Sequence, residues 1–494
     1  MIPSLTVMEP KTPQDLHVLF FPFMAPGHMI PMLDIAKLFS HLRVQTTFVT
    51  TFGNASLVQT TINHFNSTNS SNPPIKLALL PFPSTEAGLS PGYENAAYIT
   101  SLDMGANFIK AVTMLRQPFD QLLQQLLPDA ILTDSFLPWT LDSALKIGIP
   151  RLVFHGTSFF AMCASHSVEQ YDPHSRPEES FFVPDIPHSI HLLKSQVSNW
   201  KTNPLIMEMM RAMQEAEEKS YGAVMNSFYE LEPDYVNHYR NAMGRRVWHV
   251  GPVSLCNENI FDMSTRGDKP VIDKDECLNW LDNKKPNSVL YVCFGSVSRF
   301  TTTQLHEIAL GLESSQQAFI WVVKKELFQD EREELMEEYE KRVEGRGLII
   351  RGWAPQMLIL NHDAIGGFLT HCGWNSTLEA VSAGVPMVTM PMLADQFYNE
   401  RLVVDVLKIG VGVGVKEYGT GQRFGAGIEK VVSVVHGEDI EKAVLRLMTV
   451  GEEDEVMRRR ARELKVSAKM AIEKGGSSYL DICKLVQELT HKKN

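Results

Sequence analysis

The stretch WAPQMLILNHDAIGGFLTHCGWNSTLEAVSAGVPMVTMPMLADQ, residues 353–396, holds a strand, a tight turn, a helix and a second strand in one block. GGFLT reads as the strand, Gly373 permits the turn, and a helix begins near residues 374–376. PMVTMP follows as the second strand and ends at a polar pair, Asp395 and Gln396. Short apolar strands alternating with helices imply a parallel sheet covered on both faces, an α/β fold.

The same alternation extends upstream through SVLYVCFGS (288–296), AFIWVVK (318–324) and GLIIRGW (347–353). An earlier, separate set runs through LHVLFFPF (16–23), QTTFVTT (45–51), IKLALLPF (75–82), AILTD (130–134), RLVFHG (151–156) and AVMNSF (223–228). After the first strand a helix is expected to begin near Pro31, with Ile35, Leu38, Phe39 and Leu42 on one face. A polar connector at 253–270 divides the chain into a first domain (1–252) and a second (271–494), the last helix being a candidate to pack back on the first domain. Residues 66–74 read as a loop and the charged stretch 324–347 as a solvated helix face. The glycines of 410–427 never give GxGxxG and read as a flexible loop.

At 494 residues the chain exceeds one compact core, which agrees with two domains. Hydrophobic content of 44% and charged content of 21% suit a globular protein. A net charge of -12, with no basic stripe, argues against nucleic acid as a partner. The N-terminal residues lack a secretory pattern, and the apolar run 16–25 is broken by Pro22 and Pro26 and too short to span a bilayer. Six cysteines without a CxxC pair read as reduced thiols, and a cytosolic location is expected. Asp273 and Asp275 resemble a metal-binding Asp-x-Asp, but Asp273 with Glu276 also forms a capping box, the favoured reading.

Within the block, Trp353 follows a strand in a turn stiffened by Pro355 and can stack on a flat base. The helix near 374–376 aims backbone N–H groups at its own turn, where His371, Asn375 and Ser376 add side-chain donors for a pyrophosphate. Asn375 or Ser376 could equally cap that helix. Glu379 shares a helical face with Asn375 and can accept ribose hydroxyls, and Asp395 and Gln396 lie on the rim where ligands of open α/β sheets bind. In the first domain His28 and Asp134 follow two strands and fall on the same carboxyl rim, the pairing of a general base with its orienting carboxylate.

The block closely resembles the signature of plant family 1 UDP-dependent glycosyltransferases. The similarity runs on through FFPFMAPGHMIPMLDIAKLF (20–39), TEAGL (85–89), PDAILTDSFLPW (128–139) and CFGS (293–296), and looks most like the subgroup acting on triterpenoids, steroids and flavonoids. The resemblance implies a GT-B architecture of two facing Rossmann-like domains. It implies that Trp353, with Ala354 beside it, meets the uracil, that Gln356 and Glu379 bind the ribose, and that Ser296, His371, Asn375 and Ser376 hold the phosphates. Trp374, Asp395 and Gln396 would contact the sugar, a final Gln usually accompanying glucose, with galactose, xylose and glucuronic acid as alternatives. It further implies an inverting transfer with His28 as base and Asp134 as its partner, a UDP-sugar donor, a small lipophilic acceptor, and neither metal nor cofactor. A monomer is the default. The alternatives are a non-catalytic UDP-sugar or aglycone binder of this fold, and a nicotinamide oxidoreductase, for which APGHMIP stands where GxGxxG is needed. Trp139, Phe159, Phe160 and Trp200 are core or acceptor-pocket candidates. Three departures stand out: Arg43 where relatives commonly have Gly, Asp363 where Pro is frequent, and an enlarged glycine-rich segment near 419–427.

Overall fold

A computed structural model describes residues 12–324, 331–419, 433–449 and 451–492. The first sheet is built from β1 (His17–Phe21), β2 (Gln45–Thr51), β3 (Ile75–Leu80), β4 (Ala130–Asp134) and β5 (Arg151–His155). After a small antiparallel hairpin, β6 (Ser180–Phe182) and β7 (His191–Leu193), it is completed by β8 (Gly222–Met225) and β9 (Val247–His249). Its order is β3-β2-β1-β4-β5-β8-β9, parallel throughout. The second sheet comprises β10 (Val289–Cys293), β11 (Ala318–Val323), β12 (Gly347–Arg351), β13 (Ile365–Thr370), β14 (Met387–Thr389) and β15 (Gly410–Gly412). Its order is β12-β11-β10-β13-β14-β15, again parallel.

Both sheets reverse their winding at one place, and that place sets the site. In the first sheet β1 and β4 are neighbours, with Val18 opposite Ala130, so the chain leaves them in opposite lateral directions. In the second, β10 and β13 stand in the same relation. Crevices open at such switch points beyond the carboxyl ends of the strands. His28 follows β1 and Asp134 ends β4; Gly295 and Ser296 follow β10, and residues 371–376 follow β13.

Several sequence expectations need correction. The first helix begins at Pro26, not near Pro31, and runs to His41 with Pro31 inside it. Pro26 takes the position where a missing N–H costs nothing. Pro31 cannot donate to the carbonyl four residues back, at Gly27, and that carbonyl accepts Asn375 Nδ2 at 2.6 Å from the other lobe. The glycines at 410–412 form an edge strand rather than a loop; a Cβ on Gly410 would lie 2.6 Å from Val403 Cγ1, a close approach that glycine permits. Residues 413–419 are loop and turn, as expected, and 420–427 lie outside the described residues. The loop expected at 66–74 is helical as far as Thr68, and the connector holds a 3-10 turn at Val253–Cys256 and a short helix at Ile260–Thr265.

The last helix, Ser477–Lys492, lays Ile482, Leu485, Val486 and Leu489 into the core beneath β1, with Leu16, Val18 and Trp248. The charged stretch forms a helix at Glu331–Arg342, residues 325–330 being outside those described. Asp273 caps the helix Lys274–Asp282, accepting the Asp275 N–H at 2.8 Å. Arg43 takes the left-handed conformation that a glycine would occupy after the first helix, at φ 68. Among the described residues no helix is long and apolar enough to cross a membrane.

Candidate active site

His28 sits in the first turn of its helix, and its Nδ1 lies 2.8 Å from Asp134 Oδ2. Asp134 is fully buried while the imidazole keeps 24% exposure. Asp134 Oδ1 accepts the Phe136 N–H at 3.0 Å, so the carboxylate is held at both oxygens. Phe23 and Phe136 set their rings edge-on around His28, with centroids at 5.5 Å in each case. Burial works against a charged imidazole, but Asp134, by charge and hydrogen bond, and the more distant Asp395 outweigh it, leaving the pKa above the ordinary 6.5. With Nδ1 committed to Asp134, Nε2 is the nitrogen left to take a proton.

Across the cleft, the helix Trp374–Ala383 starts at Gly373 without a side-chain cap. Its first backbone rung is Thr377 N–H to Gly373 O, so the N–H groups of Trp374, Asn375 and Ser376 precede the ladder. Neither Asn375 nor Ser376 serves as the cap. Asn375 bonds Gly27 O, and Ser376 Oγ accepts Gln356 Nε2 at 3.2 Å. His371 stands beside this turn: a Cβ at Gly295 would lie 2.6 Å from its Nε2, and one at Gly373 2.4 Å. Burial and the Lys324 charge hold its pKa down at about 4, so the ring is neutral at pH 7. Its Nδ1 is buried with no hydrogen-bond partner. Ser296 lies in the adjoining turn, half-buried.

Further along, Gln356 Nε2 donates to Glu379 Oε2 at 2.8 Å and Gln356 Oε1 accepts Tyr291 Oη at 3.3 Å, which brings the two ribose candidates into one cluster. Trp353 is partly exposed, and its carbonyl accepts the Val271 N–H at 3.0 Å; Ala354 is buried beside it. Asp395 Oδ2 accepts both Thr157 Oγ1 and Asn399 Nδ2, the latter at 2.8 Å. Burial pushes its pKa up, against the opposing effect of those donors and of His28. Gln396 Oε1 accepts the N–H groups of Met392 and Leu393, both at 2.9 Å. Trp374 departs from expectation: its ring is 2% exposed and its indole N–H is spent on Asn226 O at 2.7 Å, so only its backbone is placed to reach a sugar. Phe159 and Phe160 are core residues, Trp139 packs on Phe21 and Phe119, and Trp200 lies half-buried in a 3-10 turn.

Sequence reasoning missed the residues that close the cleft. Thr157 and Ser158, after β5, bond Asp395 and Asn399, and Asn226 after β8 receives Trp374. Their only sequence signal is a polar residue just past a strand on the carboxyl rim. Among the described residues no cluster of three or more His, Cys, Asp or Glu could hold a metal ion.

The family model of UDP-glucoronosyl and UDP-glucosyl transferase matches residues 97–453. The chain is 49% identical to scopoletin glucosyltransferase from Nicotiana tabacum over 96% of this chain and 98% of that one. It is 50% identical to UDP-glucose flavonoid 3-O-glucosyltransferase 7 from Fragaria ananassa, over 98% of each. The crystal structure of Glycyrrhiza uralensis UGT73P12 complexed with glycyrrhetinic acid 3-O-monoglucuronide superposes with a TM-score of 0.87 at 41% identity, covering 97% of this chain and 96% of that one. Two parallel sheets meeting at their switch points, an imidazole–carboxylate pair on one rim and an uncapped helix on the other thus accompany a match spanning most of the sequence: the chain belongs to the UDP-glucuronosyl and UDP-glucosyl transferase family and has its GT-B fold.

Proposed function

We propose that the protein transfers glucose from UDP-glucose, with inversion, to a hydroxyl or carboxyl group of a small lipophilic plant metabolite of triterpenoid or flavonoid type. The observation that carries this reading is the placement of His28 and Asp134 against the uncapped helix that starts at Trp374, the two joined by Asn375 to Gly27. His28 Nε2 takes the acceptor proton as the acceptor oxygen forms its bond to the anomeric carbon. The bond from that carbon to the phosphate oxygen breaks, and UDP leaves with the electron pair. Its charge is met by the N–H groups at 374–376, by the neutral His371 and by Ser296 and Ser376, without a metal in this reading. Asp134 fixes the tautomer and stabilises the imidazolium as it forms. Trp353 stacks on uracil, and Asp395, Gln396 and the backbone of Trp374 bind the sugar. Flavonoid and triterpenoid compounds in the names of similar proteins support the acceptor class, and the terminal Gln396 supports glucose. Six unpaired cysteines fit a reducing compartment, the cytosol, where we place the enzyme as a monomer.

The test is release of UDP from UDP-glucose that depends on added acceptor, with mass spectrometry of the product across triterpenoid and flavonoid panels and rival donors. A β-linked product is expected. His28→Ala should bind UDP normally and lose about 10²–10⁴-fold in transfer; near-normal turnover in that variant defeats the assignment.

A further inference from the structure

Four buried charges form a line through the cleft. Lys37 Nζ lies 3.8 Å from Asp34 Oδ1, Arg266 Nε donates to Asp34 Oδ2 at 2.8 Å, and Arg266 Nη1 donates to Glu379 Oε1. No side chain in the line is more than 9% exposed. The signs alternate and sum to zero, which is how charges survive out of water. Asn257 steadies one end, accepting from Lys37 Nζ at 2.7 Å and donating to Asp34 Oδ1 at 3.0 Å.

The line joins three separate pieces of chain. Asp34 and Lys37 lie in the helix that carries His28, Glu379 lies in the helix that starts at Trp374, and Arg266 follows the connector helix Ile260–Thr265. That connector helix is itself anchored. Phe261 packs on His64 with ring centroids at 4.0 Å, and Thr61 Oγ1 donates to Thr265 O at 3.3 Å. Gly267, the residue after Arg266, has φ +100, and a Cβ there would lie 2.3 Å from Trp353 Cζ2, so the connector backbone presses directly on the aromatic platform.

The two oxygens of Glu379 are served one each, Oε1 by Arg266 and Oε2 by Gln356. A carboxylate offers about four acceptor positions, so each oxygen keeps room for a hydroxyl while the two donors fix the plane of the group. Arginine suits this place because its rigid fork can hold two carboxylates along two different edges.

We propose that Arg266 is a positioning residue for the donor: clamped to Asp34, it aims the Glu379 carboxylate at the ribose hydroxyls and ties nucleoside recognition to the helix bearing His28. This rests on the reading of Glu379 as the ribose carboxylate.

Calorimetric binding of UDP and 2′-deoxy-UDP to the full chain and to Arg266→Met, Arg266→Lys and Glu379→Gln tests it. The unaltered protein should prefer UDP by about tenfold or more, the worth of one hydrogen bond to a charged group. Arg266→Met should lose that preference, to within about twofold, chiefly by weakening UDP, and Arg266→Lys should recover part of it. A merely structural role would weaken both nucleotides equally and keep the ratio, which overturns the proposal, as does tighter UDP binding in Arg266→Met. Should Arg266→Met fail to fold, Arg266→Lys decides: an unchanged ratio overturns the proposal and a reduced one supports it. If Glu379→Gln keeps the ratio, the ribose reading itself falls and takes the proposal with it. If Glu379→Gln lowers the ratio while both Arg266 variants keep it, only the role of Arg266 falls.

Discussion

At the imidazole of His28 two opposing effects meet: burial disfavours charge, and Asp134 at 2.8 Å, together with Asp395, outweighs it. A base must be neutral to accept a proton, so a pKa above 6.5 moves the acid limb of kcat/KM to higher pH. Activity should therefore rise with pH through a midpoint above 6.5, and Asp134→Asn should both slow transfer and shift that midpoint downward. Steady-state rates across pH 5–9 in the two proteins check this. His371 behaves in the opposite sense. Its folded pKa of about 4 lies below the unfolded 6.5, so the unfolded chain takes up a proton that the folded one refuses. Stability should be complete above about pH 6.5 and fall towards pH 4, by about 3 kcal/mol from this group alone. Denaturant melts at several pH values should show a shallower fall in His371→Gln.

Among the elements, the first helix shows how a single residue shapes each end. At its start, Pro31 leaves the Gly27 carbonyl for Asn375, so a helix defect supplies a contact between lobes. At its end, Arg43 is held at φ 68, where its side chain bonds Ser71 O and the Val44 N–H reaches back to Phe39 O at 3.1 Å. A Cβ in that region costs about 1–2 kcal/mol, partly offset by the greater freedom glycine would have when unfolded. Arg43→Gly should stabilise the protein by about 0.5–1 kcal/mol without changing kcat, as thermal melts and initial rates would show. The edge strand β15 was hidden for a related reason. Its glycines have no side chains to produce a strand pattern, and at Gly410 Val403 and the Met387 carbonyl come too close for a Cβ.

For the whole molecule, the helix Ser477–Lys492 bears on stability. It comes last in the chain yet completes the core under the first sheet. Each of Ile482, Leu485, Val486 and Leu489 contributes about 1.5–3 kcal/mol by burial. Ending the chain after residue 476 should therefore take away much of the ~5–15 kcal/mol that holds a folded protein together. Soluble yield should collapse and a hydrophobic dye should bind what remains. The lobes meet through polar bonds such as Thr157 to Asp395, Ser158 to Asn399 and Trp374 to Asn226, and through a buried apolar cluster that takes in Phe159 and Phe160 from the first lobe and Trp374 and Leu378 from the second.

By itself the sequence determined the two sets of parallel strands, the helix that starts near Trp374, and the placing of His28 and Asp134 on one carboxyl rim. Each depends on local periodicity, or on a residue type fixed to the end of a strand, and both are written along the chain. Only the tertiary structure decided that Trp374 turns its ring into the core, that Gly27 and Asn375 join the lobes, and that Arg266 spans Asp34 and Glu379. Those contacts link residues more than a hundred positions apart, and whether a buried polar group finds its partner depends on how two sheets come together, which no local pattern encodes.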